Sequence, residues 1–167
     1  MIVTFEKYHA LRNDFLVIEL GKSRRSKSTL ARFTEALCDR REGVGADGVL
    51  YLSPSRKADR RVDVYNADGS WAEKSGNGLR IAAVHAYSKS RSKSKRNITF
   101  ETGNSVDTVS IGRKIRGGHM VTAELQRPCF ETSLVPVKTR RKFMINAPLS
   151  IGGVKIPVTC LSVGNPH

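Results

Sequence analysis

The residues best placed to do chemistry are Ser75-Gly76-Asn77-Gly78, with Asn66-Ala-Asp-Gly-Ser70 before them and Leu79-Arg80 after. The stretch reads as a strand end, a turn, and a glycine-rich opening of a helix, with Ser75 at the helix N-terminus. The first turn of a helix carries N–H groups that have no intrahelical acceptor. They point outward at the positive end of the helix dipole. Such an opening holds an anion and presents one side chain to it. Here that side chain is a hydroxyl.

Other reactive residue types are dispersed. Cys38, Cys129 and Cys160 match no metal-ligand spacing, and His9, His85, His119 and His167 are scattered. The sequence therefore predicts no metal site and no disulfide framework, and structural roles for most of these residues. Gly43, Gly45 and Gly48 fall within six positions after a predicted helix. They lack the Lys-Ser/Thr ending of a phosphate loop and lead into a strand, so they read as a helix cap and a loop.

These residues need a frame to position them. Alternating or β-rich runs predict strands over Ile2–Tyr8, Phe15–Leu20, Val49–Leu52, Val62–Tyr65, Ile98–Glu101, Thr108–Ile111, Met120–Leu125, Phe143–Ile145 and Ile156–Val163. Gly117-Gly118 reads as a tight hairpin turn. One helix is predicted from Thr29 to Asp39, capped by Ser28, with Leu30, Phe33 and Leu37 on one face. A second runs from Gly78 to Ser88 and is apolar nearly all round, through Leu79, Ile81, Ala82, Ala83, Val84, Ala86 and Tyr87. A helix of that kind belongs in the middle of a fold. The expected architecture mixes α and β: a curved, mostly antiparallel sheet around this central helix.

The chain has 167 residues, 39% of them hydrophobic, which predicts one domain, 1–167, with a real core. No apolar run approaches a membrane span, and the first residues lack the pattern of a secretory signal, so a cytoplasmic protein is expected. The net charge is +14. The basic residues cluster in Lys22–Lys27, Lys89–Arg96, Arg113–Arg116 and Lys138–Lys142, each between apolar segments, and read as solvated loops. No interleaved aromatics or nucleic-acid motif frames them, which argues against specific nucleic-acid binding. A basic surface that favours acidic substrates fits better.

Five segments, in this order, resemble the diaminopimelate epimerase family: Lys7-Tyr-His-Ala-Leu-Arg-Asn-Asp-Phe15, Cys38-Asp-Arg-Arg-Glu-Gly-Val-Gly-Ala-Asp-Gly48, Tyr65-Asn-Ala-Asp-Gly-Ser70, Ser75-Gly-Asn-Gly-Leu-Arg80 and Val163-Gly-Asn-Pro-His167. The resemblance implies a cofactor-independent isomerase that inverts the α-carbon of an amino acid, interconverting LL- and meso-diaminopimelate for lysine and cell-wall precursors. One thiolate removes the α-proton and a second thiol protonates the opposite face. By the same resemblance, Asn13, Asn66 and Asn165 contact the substrate, as do the backbone N–H groups of Gly76 and Asn77, and His167 tunes the catalytic pair. Asparagine suits a zwitterion because its amide both donates and accepts. Taken alone, Asn13-Asp14 and Asn66-Ala-Asp-Gly also read as turn formers.

The sequence departs from the family pattern in two ways. Ser75 stands where the family has a catalytic cysteine, and Ile81 where it commonly has another. The family also has two similar halves with a site between them, and the chain resembles the first. The partner cysteine and a Glu-Arg pair belong to the other half. The resemblance thus predicts a half-domain that is inactive alone, completed by the missing C-terminal half or by a homodimer. The alternatives are a one-base isomerase or dehydratase of the wider superfamily, and a non-catalytic basic binding or assembly module.

Overall fold

Phe15, Leu16, Val17 and Ile18 are all buried, so β2 (Asn13–Glu19) faces apolar surroundings on both sides. β3 (Gly48–Ser53) shares this feature, while β4 (Arg60–Asn66) buries Val62, Val64 and Tyr65 and leaves Arg61 and Asp63 partly exposed. Strands covered on both faces lose the polar alternation of a half-exposed sheet. The computed structural model describes residues 3–21, 25–103 and 105–167. The other strands of this sheet are β1 (Glu6–Ala10), β5 (Trp71–Ala72), β6 (Asn97–Thr102), β7 (Ser105–Ile115) and β8 (Gly118–Ala123). They pair in the order β1-β2-β3-β4-β6-β7-β8, with β5 beside β4.

The pairings are antiparallel except β2–β3 and β4–β6, which are parallel. Parallel neighbours need a crossover connection. The two crossovers carry the two helices, α1 (Lys27–Cys38) and α2 (Gly76–Lys89). Phe15, Val17, Leu50, Leu52, Val62 and Val64 point to the α2 side, into one core with Leu79, Ile81, Ala82 and Ala83. Leu16, Ile18, Val49, Tyr51 and Tyr65 point the other way, into a second core with Leu30 and Cys38 of α1. The expected sheet around a central apolar helix is therefore present, with α1 covering its outer face.

The chain forms two compact units, Met1–Glu124 and Leu125–His167. The first is the sheet and helices above. The second contains a two-stranded ribbon of β9 (Ala147–Ile151) and β10 (Val154–Val158), and a 3-10 turn over Thr132–Leu134. No helix among the described residues is long and apolar enough to cross a membrane.

Several predicted boundaries are corrected. Helix α1 starts two residues early, because Ser26, not Ser28, is its N-cap and accepts a hydrogen bond from Thr29 N. Ser26 is extended, which admits Lys27 and Ser28 to the first turn and puts Leu30, Thr34 and Cys38 in one buried row. Phe143–Ile145 is not a strand: Phe143 makes only an isolated bridge to Glu131. The last predicted strand ends at Val158. β9 escaped prediction because Pro148 lowers its strand propensity. Pro148 sits opposite Pro157, in a ribbon that has only edge strands. The hairpin near Gly117 forms, with Ile115 paired to Gly118 and Gly117 at φ +78°.

The predicted strand residue Ile2 and residues 22–24 of the first basic cluster lie outside the described residues. Of that first basic cluster, Lys27 opens α1 rather than a loop. The cluster from Lys89 ends α2. Lys93 Nζ donates there to the carbonyls of Tyr87 and Ser88, where a cation meets the negative end of the helix.

Candidate functional site

Three strand ends and one helix start meet along one rim of the sheet. β2 and β3 run parallel and begin there, with Phe15 beside Gly48. β4 runs the other way and ends there, with Asn66 opposite Gly48. α2 opens at the same rim, because Asn77 Nδ2 lies 3.4 Å from Asn13 Oδ1. The fold thus gathers Asn13, Asn66, Ser75, Gly76 and Asn77 from separate segments.

Ser75 is the N-cap of α2. It is half-buried and extended, at φ −136° and ψ 116°, and its Oγ accepts a hydrogen bond from Gly78 N at 3.0 Å. The N–H groups of Gly76 and Asn77 have no intrahelical acceptor at this position in the helix. Gly78 is closely packed: a Cβ there would lie 2.9 Å from Leu50 Cδ2 and 3.1 Å from Ser75 Cβ. Among the described residues, no carboxylate, imidazole or amine is hydrogen-bonded to the Ser75 hydroxyl.

Asn13 is oriented from behind. Its Nδ2 donates to Asp47 Oδ2 at 2.8 Å, which leaves Oδ1 toward Asn77. Asn77 is fixed in turn, because its Oδ1 accepts from Arg80 at 3.0 Å. The two amides therefore have assigned donor and acceptor ends. Asp47 also accepts from Asp14 N at 3.0 Å and from Arg40 at 2.8 Å, and its carbonyl accepts from Ala67 N at 3.0 Å. Asp47 thus ties the beginning of β2 to the residue after Asn66.

Asn66 serves the turn that its neighbours suggested. Its Nδ2 donates to Ser70 Oγ at 2.9 Å, and Asp68 Oδ1 accepts from Ser70 N at 3.0 Å. Gly69 completes the turn at φ +75°. Asn66 remains exposed at the rim, so the turn role and an open amide oxygen coexist.

The electrostatics behind the rim are fixed. The Arg40 guanidinium, hydrogen-bonded to Asp14 at 2.7 Å, holds that carboxyl well below the usual range, and Lys7 adds to the effect. Cys38 is buried behind the site, and burial pushes its thiol up to about 11. Asp14, Arg40 and Asp47 were quoted in the motifs but not singled out as site residues. Their only signal in the sequence was the acidic and basic residues flanking the glycines.

Asn165 and His167 belong to the second unit. Asn165 is half-buried, and its carbonyl accepts from Val163 N at 3.2 Å. His167 is exposed; its Nε2 lies 3.3 Å from Asn165 Oδ1, and its N–H donates to Leu161 O. Within the second unit the structure places these two residues beside each other. Among the described residues, no cluster of His, Cys, Asp and Glu could hold a metal ion. Cavities of about 330 and 860 Å³ lie away from the rim, the first beside Glu19 and His85, the second beside Arg56 and Arg61.

Comparison with known proteins gives this rim a context. The sequence profile of diaminopimelate epimerase matches residues 5–121. The diaminopimelate epimerase of Carboxydothermus hydrogenoformans is 35% identical over 98% of this chain and 58% of its own length. That of Caldanaerobacter subterraneus subsp. tengcongensis is 37% identical over the same shares. The chain thus spans somewhat more than half the length of these relatives. Among solved structures, a Bacillus anthracis phenazine biosynthesis protein of the PhzF family has a TM-score of 0.58 at 16% identity, over 76% of this chain and 40% of its own. A Pseudomonas aeruginosa protein described as a predicted epimerase also scores 0.58, at 15% identity, over 71% of this chain and 39% of its own. These two share the fold. The profile match and the identities, taken with the five ordered motifs, place the chain in the diaminopimelate epimerase family.

Proposed function

We propose that this chain supplies the substrate-holding part of an amino-acid epimerase site of the diaminopimelate type. The observation that carries the reading is the fixed amide pair, Asn13 and Asn77, beside the open N-terminus of α2 and next to Ser75. An α-amino acid presents a carboxylate and an ammonium on one carbon. The Gly76 and Asn77 N–H groups suit the carboxylate, while Asn13 Oδ1, which receives Asn77 Nδ2 at 3.4 Å, and the exposed Asn66 amide suit the ammonium. Held in this way, the α-carbon is oriented for proton transfer without a cofactor.

Ser75 occupies the place of one of the two proton-transferring residues. A helix N-terminus stabilises an adjacent anion by at most ~2 kcal/mol, or one to two pKa units. That shift brings a thiol near neutrality but leaves an alcohol protonated. In this reading Ser75 caps the helix and donates a hydrogen bond to the ligand, while proton abstraction awaits a base. The opposing base and further substrate contacts come from the second half of the family fold or from a second copy of this chain. Asn165 contacts the substrate in this reading, and His167 tunes the proton-transferring pair. The activity belongs to lysine and cell-wall precursor synthesis in the cytoplasm.

The test restores the thiol with Ser75→Cys, supplies the C-terminal half of a relative in trans, and follows deuterium uptake at the α-carbon of diaminopimelate. Exchange that depends on both additions supports the reading. Absence of both exchange and binding overturns it.

A further inference from the structure

The residue before Ser75 is a buried cation. The Lys74 side chain is 2% exposed, and its Nζ lies 2.6 Å from Oδ1 of Asp107, which is 5% exposed. Asp107 stands on β7 in the same inward row as Val109 and Ile111. Its other oxygen accepts from Thr102 Oγ1 and from Ser105 Oγ, the latter at 3.2 Å. Thr102 and Ser105 flank the tight turn between β6 and β7, and Gly103 in that turn is at φ +49°. A Cβ on Gly103 would lie 3.3 Å from Glu73 Cγ. Glu73-Lys74, the segment that delivers Ser75 to the helix, is therefore held against the β6–β7 turn by packing and by an ion pair whose carboxylate is engaged at both oxygens.

Such a pair adds little to stability. Burying both charges costs about as much as their attraction returns, and apolar replacements of similar volume are often neutral or stabilising. What the pair does supply is a short, directional tether: one ammonium on one carboxylate whose remaining oxygen is itself fixed. An apolar contact would let the segment slide.

We infer that Lys74 and Asp107 are positioning residues for position 75. They hold it in the extended conformation from which its side chain meets the first-turn N–H groups of α2. This rests on the reading of Ser75 as the place of a proton-transferring residue. A residue displaced from the helix opening would lose the field that makes a thiol acidic there.

The experiment reads that field directly. Cys129→Ser and Cys160→Ser leave only buried Cys38, and Ser75→Cys then adds one accessible thiol. Its pKa is taken from the pH dependence of iodoacetamide alkylation, and the melting temperature is recorded alongside. In this background the introduced thiol titrates below the ordinary value of about 8.5. Adding Lys74→Met with Asp107→Leu is expected to leave the melting temperature within a few degrees. It should raise the thiol pKa by about half a unit or more, a roughly threefold loss of thiolate at neutral pH. A folded double variant with an unchanged thiol pKa overturns the inference. If the double variant does not fold, Lys74→Arg gives the same readout, since it keeps the charge but lengthens the arm. A raised thiol pKa in folded Lys74→Arg supports the tether, and an unchanged one overturns it. Alkylation involves no amino-acid substrate. Failure here therefore leaves the epimerase reading intact, and failure of α-deuterium exchange leaves the tether intact.

Discussion

Asp47 Oδ2 accepts from Asn13 Nδ2 at 2.8 Å, and so decides which end of the Asn13 amide faces Asn77. The same oxygen accepts from Asp14 N at 3.0 Å. Asp47→Ala removes both hydrogen bonds and frees the amide to rotate. The expected loss of stability is about 1–3 kcal/mol, the range for a donor left without its partner. Asp47→Asn keeps one acceptor oxygen and should lose less. Denaturant unfolding of both variants checks this ordering; equal losses would show that the charge on Asp47, not its geometry, is what matters.

Gly78 is held by sterics rather than by a special backbone angle. Alanine is the better helix former by about 1 kcal/mol. An added Cβ would nevertheless meet Leu50 Cδ2 at 2.9 Å and the Ser75 side chain at 3.1 Å. Forcing a methyl into a packed site costs about 1–3 kcal/mol, which exceeds the propensity gain. Gly78→Ala is therefore expected to lower the melting temperature. A rise would mean that Leu50 moves aside freely.

The parts of this fold that were legible in the sequence are those where local pattern and tertiary packing agree. Leu79 to Tyr87 is apolar nearly all round, and the middle of the sheet satisfies it. The rim itself was visible through its motifs, but its wiring was not. Asp47 lies 34 residues from Asn13, and Lys74 lies 33 from Asp107, so neither pairing leaves a periodic trace. The start of α1 was misplaced because Ser26, Ser28 and Thr29 can all cap, and only burial of Leu30, Thr34 and Cys38 chooses among them. Asn66 was read as either a turn former or a ligand contact, and its two amide ends allow both.

Asp14 makes stability depend on pH. Its pKa in the folded protein lies below the unfolded value because of Arg40 and then Lys7. The stabilisation is therefore fully present above the unfolded pKa of about 3.9, and it is lost as the pH falls through that value toward the folded one. Asp14→Asn abolishes the ionisation. The gap in unfolding free energy between the parent and this variant should be largest above about pH 5 and should close progressively below about pH 4. A gap that stays constant as the pH falls from about 5 to well below about 4 would show that the Arg40–Asp14 contact carries no net charge interaction.

Cys38 is 3% exposed, and its thiol is pushed up to about 11 by burial, with the Asp14 carboxylate adding to the effect. Alkylation of the native protein near pH 8 should modify Cys129 and Cys160 and leave Cys38 unmodified until the chain is unfolded. Peptide mass analysis after native and denatured labelling distinguishes the three. Rapid native labelling of Cys38 would mean that the α1 face of the sheet opens readily.

Ser75 has a structural task whatever chemistry passes through it. Its Oγ takes the Gly78 N–H, and its carbonyl takes the Leu79 N–H at 2.8 Å. Ser75→Ala removes only the first bond, at a cost of about 1 kcal/mol for a lost N-cap. Ser75→Gly keeps the extended backbone accessible and lets solvent reach the orphaned amide, so it should cost only a few tenths of that. Hydrogen exchange at Gly78 N–H locates the effect. Protection should fall in both variants at this amide, while the amides of Val62 and Val64, in the buried strand β4, change only by the global loss of stability. A Ser75→Ala variant as stable as the parent, with Gly78 still protected, would mean that another acceptor replaces the hydroxyl, and that the cap is not what holds a serine here.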